Sequence, residues 1–154
     1  MIIFIRDSNS PWLEYIKDDP VRPNISKEFR IGTNKFASVL INNNVLQAVT
    51  CVALGHDVPE SVEDLSKIAR FPEQTTTAVF YTIWSYVSGA GTKILFDTVE
   101  KIINDYPSTT RFVTLSPKTQ MAEKFHLRNG AFNLRENKET INYEYPISVL
   151  IRHA

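Results

Sequence analysis

The chain has 154 residues, 43% hydrophobic and 22% charged, enough for one globular domain with a sizeable core and short for two. Seventeen basic side chains balance seventeen acidic ones, so no net field draws the protein to nucleic acid or to an anionic membrane surface. No apolar run reaches membrane-spanning length, and a single cysteine excludes an internal disulfide.

MIIFIR (1–6) reads as a first strand; the start lacks the basic lead and small-residue cleavage site of a secretory leader. Ser10-Pro11 then opens a helical segment with Trp12, Tyr15 and Ile16 at helical spacing. A turn-rich stretch with Pro20, Pro23 and Gly32 follows. Residues 35–54 form two apolar runs around Asn42, Asn43 and Asn44, the turn chemistry of a hairpin. Cys51 lies inside the second run, where a thiol is buried and inert, and the whole pattern fits a cytoplasmic protein. VPESVEDLSKIARF (58–71) predicts a helix, with Ser61 as N-cap and Asp64 three residues on.

TTAVFYTIWSY (76–86) is β-rich and apolar on both faces, as a central strand should be. SGAGT (88–92) turns it into a helix over 93–107, on which Leu95, Val99, Ile102 and Ile103 mark the buried face. RFVTL (111–115) is the next strand. Ser116 as N-cap and Pro117 at the first helical position then predict a helix, stopped at Asn129-Gly130, with Met121 and Phe125 as its buried stripe and His126 beside them. Residues 140–151 close the chain as one or two strands. The order of elements implies a single α/β (α+β) domain over 1–154, a mixed, mostly antiparallel sheet flanked by helices.

Glycines between a buried strand and a helix start let backbone N–H groups close on an anion, aided by the partial positive charge of the helix terminus. Taken alone, Gly89-Ala90-Gly91 is equally well a tight turn. Its place at the C-terminal end of a central strand favours the phosphate-binding reading. Lys93 either lies in solvent or helps to neutralise a phosphate.

Here the sequence resembles the Gcn5-related N-acetyltransferase superfamily. The family's coenzyme A loop, Gln/Arg-x-x-Gly-x-Gly/Ala, is matched in its glycines by Tyr86-Val87-Ser88-Gly89-Ala90-Gly91, with Tyr86 where Gln or Arg is usual. KFHLRNGAF (124–132) is similar to the family's Tyr-Glu-Lys-x-Gly-Phe helix end, and the likeness spans roughly 35–150. A narrower resemblance, to the catalytic domain of malonyl-CoA decarboxylase, rests on AVFYTIWS, the glycine region, FVTLSP, FHLRNGA and NYEY. The segments between the serine, histidine and tyrosine blocks are much longer in that enzyme.

These resemblances imply an acyl-CoA enzyme that uses acetyl-CoA or another acyl-CoA. Residues 85–92 (Ser85, Tyr86, Val87, Ser88, Gly89, Ala90, Gly91 and Thr92) would hold the cofactor, and His126, Ser116 and Tyr145 would be catalytic. His126 falls where such transferases carry a tyrosine that protonates the departing thiolate, a transfer that an imidazole titrating near neutrality can also make. Transfer to an unidentified small-molecule or protein acceptor is the expected reaction, since this fold most often transfers and the decarboxylase's helical N-terminal domain has no counterpart. The alternatives are a malonyl-CoA decarboxylase-like enzyme and a non-catalytic ligand-binding module; assembly as a homodimer is compatible with either enzyme.

Each residue also has a plainer reading. Ser116 is explained as a cap, with Thr114 a competitor on the same strand face; Tyr145 could be a core aromatic, and Tyr81 and Trp84 sheet packing. His56, Asp57 and Glu60 match no metal-ligand spacing, so no metal is expected. Segments 8–33 and 55–75, which would face an acceptor, show no charge cluster.

Overall fold

The computed structural model describes residues 1–66 and 74–153. Eight strands among these residues form one sheet, in the order β1-β2-β3-β4-β5-β8-β6, with β7 paired to β8. β1 (Ile2–Ile5) lies antiparallel on β2 (Lys35–Asn42), which pairs antiparallel with β3 (Val45–Gly55). The β2–β3 turn is made by Asn43 and Asn44, both at positive φ, the conformation asparagine tolerates best after glycine. β4 (Thr77–Ser85) continues the antiparallel set and then pairs parallel with β5 (Arg111–Thr114). Between β4 and β5 runs α2 (Ala90–Asp105), which covers one face of the sheet.

α2 begins three residues before the predicted start, because Gly89 caps it in the left-handed conformation at φ 82. Its buried face is Ile94, Leu95, Val99 and Ile102, whereas Ile103 is exposed. Phe36, Leu54, Phe80, Phe112 and Tyr145 complete the core on this side. On the opposite face Val39, Val49, Cys51, Val79, Tyr81 and Val113 pack beneath Leu13, Trp12 and Phe29 of the N-terminal segment. That segment holds a 3-10 helix (Pro11–Asp18) capped by Ser10 and a short α1 (Lys27–Arg30) capped by Ser26.

Several predicted elements differ in the structure. The helix expected over 58–71 is a 3-10 turn (Glu63–Ser66), with 67–71 outside the described residues. Ser116-Pro117 does not start a helix. It is a two-residue strand, β6, whose Ser116 pairs with Ile141 of β8 (Thr140–Glu144). Recruitment into that ladder moves the helix start to Thr119, whose hydroxyl accepts from the Ala122 N–H at 3.2 Å and caps α3 (Gln120–Arg128). The inward face of α3 is His126, with Phe125 half-buried, while Met121 is 82% exposed. β7 (Phe132–Glu136) was not foreseen, and the chain ends in α4 (Ile147–His153) rather than a strand, because Pro146 offers its carbonyl to the Val149 and Leu150 amides. Among the described residues no helix is long and apolar enough to cross a membrane.

Candidate active site

The site follows from the one parallel pair among the described residues. β4 and β5 are in register from Thr77↔Arg111 to Phe80↔Thr114, and the Leu115 amide makes one further bond to the Phe80 carbonyl at 3.0 Å. Beyond that point β4 continues along β3, whereas the other chain turns into β6 against β8. The strands therefore part, and a cleft of about 310 Å³ opens where they diverge. A bulge sharpens the opening: Val52 faces Phe80 and Cys51 faces Thr82, leaving Tyr81 as the extra residue on β4.

The cleft is mostly apolar. Phe80, Ile83 and Trp84 of β4, Leu115 and Pro117 beyond β5, Phe125 on α3, and Pro20 and Val21 from the N-terminal segment form its walls. Ser85 and Gly91 mark one end, and Ser116 and His126 also line it. Among the described residues, no aspartate, glutamate, lysine or arginine lines the cleft.

The loop at the Gly91 end is a left-handed glycine turn that leads into α2. Gly89 has no side-chain cap bond to the helix, and the Ala90 N–H is turned back to Val87 O at 3.3 Å. The Gly91 and Thr92 amides have no acceptor among the described residues, as expected for the first turn of a helix. Nothing lies within 4 Å of where a Cβ on Gly89 would stand, so the loop is open there. Gly91 differs: a Cβ would come within 3.2 Å of the Phe125 ring, so close packing by α3 also requires this glycine. Tyr86, at the usual Gln or Arg position, accepts from Trp84 Nε1 at 3.0 Å and donates to Asp18 at 2.8 Å. The Thr92 hydroxyl is bonded to Asn129 Oδ1 at 3.2 Å, tying α2 to the end of α3. Lys93 is exposed and paired with Asp97 at 2.9 Å, one turn along its own helix.

His126 is 6% exposed. Its Nδ1 lies 2.8 Å from the Tyr145 hydroxyl, and its ring stacks on Tyr143 with centroids 5.1 Å apart. Burial lowers its pKa to about 4, so the ring is neutral at pH 7, contrary to the expected titration near neutrality. Burial likewise raises the Tyr145 pKa, keeping that hydroxyl protonated. The structure thus brings His126 and Tyr145 together and places Ser116 on the same cleft. The Ser116 and Thr114 hydroxyls are 2.8 Å apart, and Thr114 also accepts from the Tyr143 amide at 3.1 Å. Sequence reasoning treated the two hydroxyls as competitors; they are partners.

The residues that sequence reasoning missed lie in the N-terminal segment, where no charge cluster was apparent. Asp19 and Arg30, each with a fully buried side chain, form an ion pair at 2.7 Å. Asp19 also accepts from the Thr82 hydroxyl at 2.8 Å and from the Val21 and Arg22 amides, while Arg30 donates to the Arg22 and Ile25 carbonyls. This network fastens the segment onto β4. The one available signal was Asp19-Pro20-Val21-Arg22-Pro23, two opposite charges interleaved with prolines in a short stretch. Arg30 Nη1 is also 3.6 Å from the Cys51 sulfur, whose thiol pKa burial pushes up to about 11; the thiol is inert, as expected. Among the described residues no group of three metal-ligating side chains occurs.

A sheet split between two parallel strands, with a glycine turn leading into the helix between them, can be compared with known proteins. No protein-family model matches the chain, and no curated protein matches it. Solved structures do. The fold is shared with solved acetyltransferases and malonyl-CoA decarboxylases. A malonyl-CoA decarboxylase from Rhodopseudomonas palustris is similar at 17% identity and TM-score 0.75, over 99% of this chain and 61% of its own. One from Agrobacterium vitis is 22% identical with TM-score 0.67, over 84% and 36%. An N-acetyltransferase from Campylobacter jejuni is 11% identical with TM-score 0.60, over 95% of this chain and 96% of its own. The chain thus spans between about a third and two thirds of the decarboxylases and nearly all of that acetyltransferase.

Proposed function

We propose that the protein is an acyl-CoA-dependent acyltransferase. Its cleft receives the pantetheine arm between β4 and β5, and the Gly91 and Thr92 amides, free within the glycine turn of residues 88–92, take the pyrophosphate. One observation carries the reading: the gap between the parting strands is lined at one end by Gly91, in the glycine turn, and also by the ring of His126.

Tyr145 sets the histidine's role. With Tyr145 as donor to Nδ1, one of the two directions this contact allows, the ring hydrogen sits on Nε2, and a buried neutral imidazole is then a hydrogen-bond donor rather than an acid. Attack on the thioester carbonyl moves charge onto its oxygen, and a donor already aimed at that oxygen in a dry cleft stabilises the tetrahedral state. Collapse of that state breaks the carbon–sulfur bond and releases coenzyme A as its thiolate, with the proton supplied by solvent or by the acceptor. Ser116 serves as a second donor. Among the described residues no carboxylate lines the cleft to deprotonate an ammonium, which favours an acceptor nucleophile that arrives uncharged.

The shared wall of Ser116 and His126, with Tyr145 behind it, favours a second reading. In decarboxylation of a malonyl thioester, the electrons of the breaking carbon–carbon bond move to the same thioester oxygen. The same donors then hold an enolate, and a proton from solvent completes acetyl-CoA. Following products by mass separates the two. A decarboxylase converts malonyl-CoA to acetyl-CoA with no acceptor present. A transferase leaves malonyl-CoA intact and frees thiol from acetyl-CoA only when an acceptor is added. Failure of both substrates to react with any acceptor tried would leave a binding module.

A further inference from the structure

β8 faces β5 and β6 from Val113↔Glu144 to Ser116↔Ile141, but between those pairs side chains take over from the ladder. The Tyr143 amide donates to Thr114 Oγ1 at 3.1 Å, and the Thr114 carbonyl accepts from Asn142 Nδ2 at 2.8 Å. Asn142 Nδ2 also donates to the Pro59 carbonyl at 2.9 Å, which ties this part of β5 to the segment before the 3-10 turn. Thr114 is fully buried, and besides the Tyr143 amide the one polar neighbour of its hydroxyl among the described residues is Ser116 Oγ, at 2.8 Å. A hydroxyl has one hydrogen to give. The Tyr143 amide can only donate, so among the described residues the Thr114 hydrogen has Ser116 Oγ as its sole acceptor. The opposite direction, with Ser116 donating to Thr114, would leave a buried O–H on Thr114 without an acceptor, a desolvation cost that native interiors avoid. The donors therefore run from the Tyr143 N–H through Thr114 to Ser116. The Ser116 hydrogen is left over: Ser116 lines the cleft, and no other acceptor among the described residues takes it. The Tyr143 ring stacks on His126, so one residue backs both side chains.

We propose that Thr114 is a positioning residue: it fixes the Ser116 hydroxyl so that its hydrogen points into the cleft, toward the carbonyl oxygen of a bound thioester. The inference rests on the coenzyme A reading above and serves transfer and decarboxylation alike, because charge gathers on that oxygen in both. A serine whose oxygen already accepts a hydrogen bond presents its own donor before the substrate arrives, which is the preorganisation that such a site needs. Thr114 touches no substrate itself, so the test must read the donor at Ser116 rather than the stability of the sheet.

Two unreactive ligands serve: acetonyldethio-coenzyme A, a ketone with a methylene in place of the sulfur, and S-ethyl-coenzyme A, of the same length but without the oxygen. Calorimetry gives the ratio of their affinities, and the isotope-edited infrared band of the ketone reports a hydrogen bond to its oxygen. Wild type should bind the ketone about fivefold to tenfold more tightly, the scale of one well-aligned hydrogen bond, and move its carbonyl band to lower frequency. Thr114→Val should bring the ratio within about twofold and return the band toward that of the unbound ligand, while changing the affinity for the ethyl ligand little. Thr114→Ser should keep the wild-type ratio and band. In a Ser116→Ala background Thr114→Val should change the ratio no further, because the two hydroxyls act as one unit. Thr114→Cys, whose thiol is a weak donor, takes the place of the valine variant if that protein fails to fold, with the same loss expected. Equal wild-type affinities, an unshifted wild-type band, a ratio that survives in the folded valine or cysteine variant, or its loss in folded Thr114→Ser overturns the assignment. Binding of both ligands without discrimination overturns this inference alone; no binding of either overturns the coenzyme A reading with it.

Discussion

Burial of His126 makes the stability of the whole domain depend on pH. The ring is 6% exposed and flanked by Phe125, Tyr143 and Tyr145, and burial alone lowers its pKa from 6.5 to about 4. Between those values the unfolded chain binds a proton that the native state refuses, so stability rises with pH across the window and is fully present above about 6.5. A shift of this size, at about 1.4 kcal/mol per unit, corresponds to a loss of roughly 2–3 kcal/mol on going from pH 7 to pH 4.5. That is a large share of the stability of a small domain, typically about 5–15 kcal/mol. His126→Gln removes the titration and retains a polar side chain. Urea unfolding of both proteins at pH 7.0 and 4.5 should show a fall smaller by about 2 kcal/mol in the variant, whatever its stability at neutral pH. Identical pH dependence in the two proteins, or a native imidazole titrating near 6.5 by NMR, would refute the reasoning.

Arg30→Met strands the buried Asp19 carboxylate and should cost about 3–5 kcal/mol in urea unfolding, whereas Lys93→Ala, at an exposed pair, should cost under about 0.5. Equal costs would show that the Asp19–Arg30 network does not anchor the N-terminal segment. In the glycine loop, Gly89→Asn keeps a residue that tolerates positive φ and adds a side chain where nothing lies within 4 Å, so coenzyme A affinity should fall by about tenfold with little change in melting temperature. Gly91→Val is the poorer probe. Its side chain meets Phe125 at 3.2 Å or less and should destabilise by about 1–3 kcal/mol through overpacking, with or without ligand.

Much of the fold was legible because its signals were local. The three-asparagine turn, the doubly apolar strand over 76–86 and the periodic face of α2 each follow from residues close in the chain. Ser116-Pro117 shows the limit. Its local chemistry is that of a helix start, yet pairing with Ile141, 25 residues on, draws it into the sheet, and Thr119 takes over the cap. Met121 and His126 mislead for a related reason: polarity assigns the methionine to the core, but the geometry of α3 buries the imidazole, whose Nδ1 finds Tyr145. The approach of His126 to Tyr145, and the presence of Ser116 on the same cleft, were expected only through family resemblance. Asp19, Arg22 and Arg30 left only a faint signal, because their partners are backbone groups, a hydroxyl and one another, brought together by the return of the N-terminal segment across β4.

The central claim is that the gap between β4 and β5 is a coenzyme A site. Calorimetric titration of the full chain with coenzyme A, alongside 3′-phosphoadenosine 5′-diphosphate, which lacks the pantetheine arm, tests it most directly. The account expects one site per chain, with coenzyme A bound at least about tenfold more tightly than the truncated nucleotide, since the arm contributes its own buried contacts. No heat of binding for coenzyme A at millimolar concentration, or equal affinity for both ligands, would contradict it.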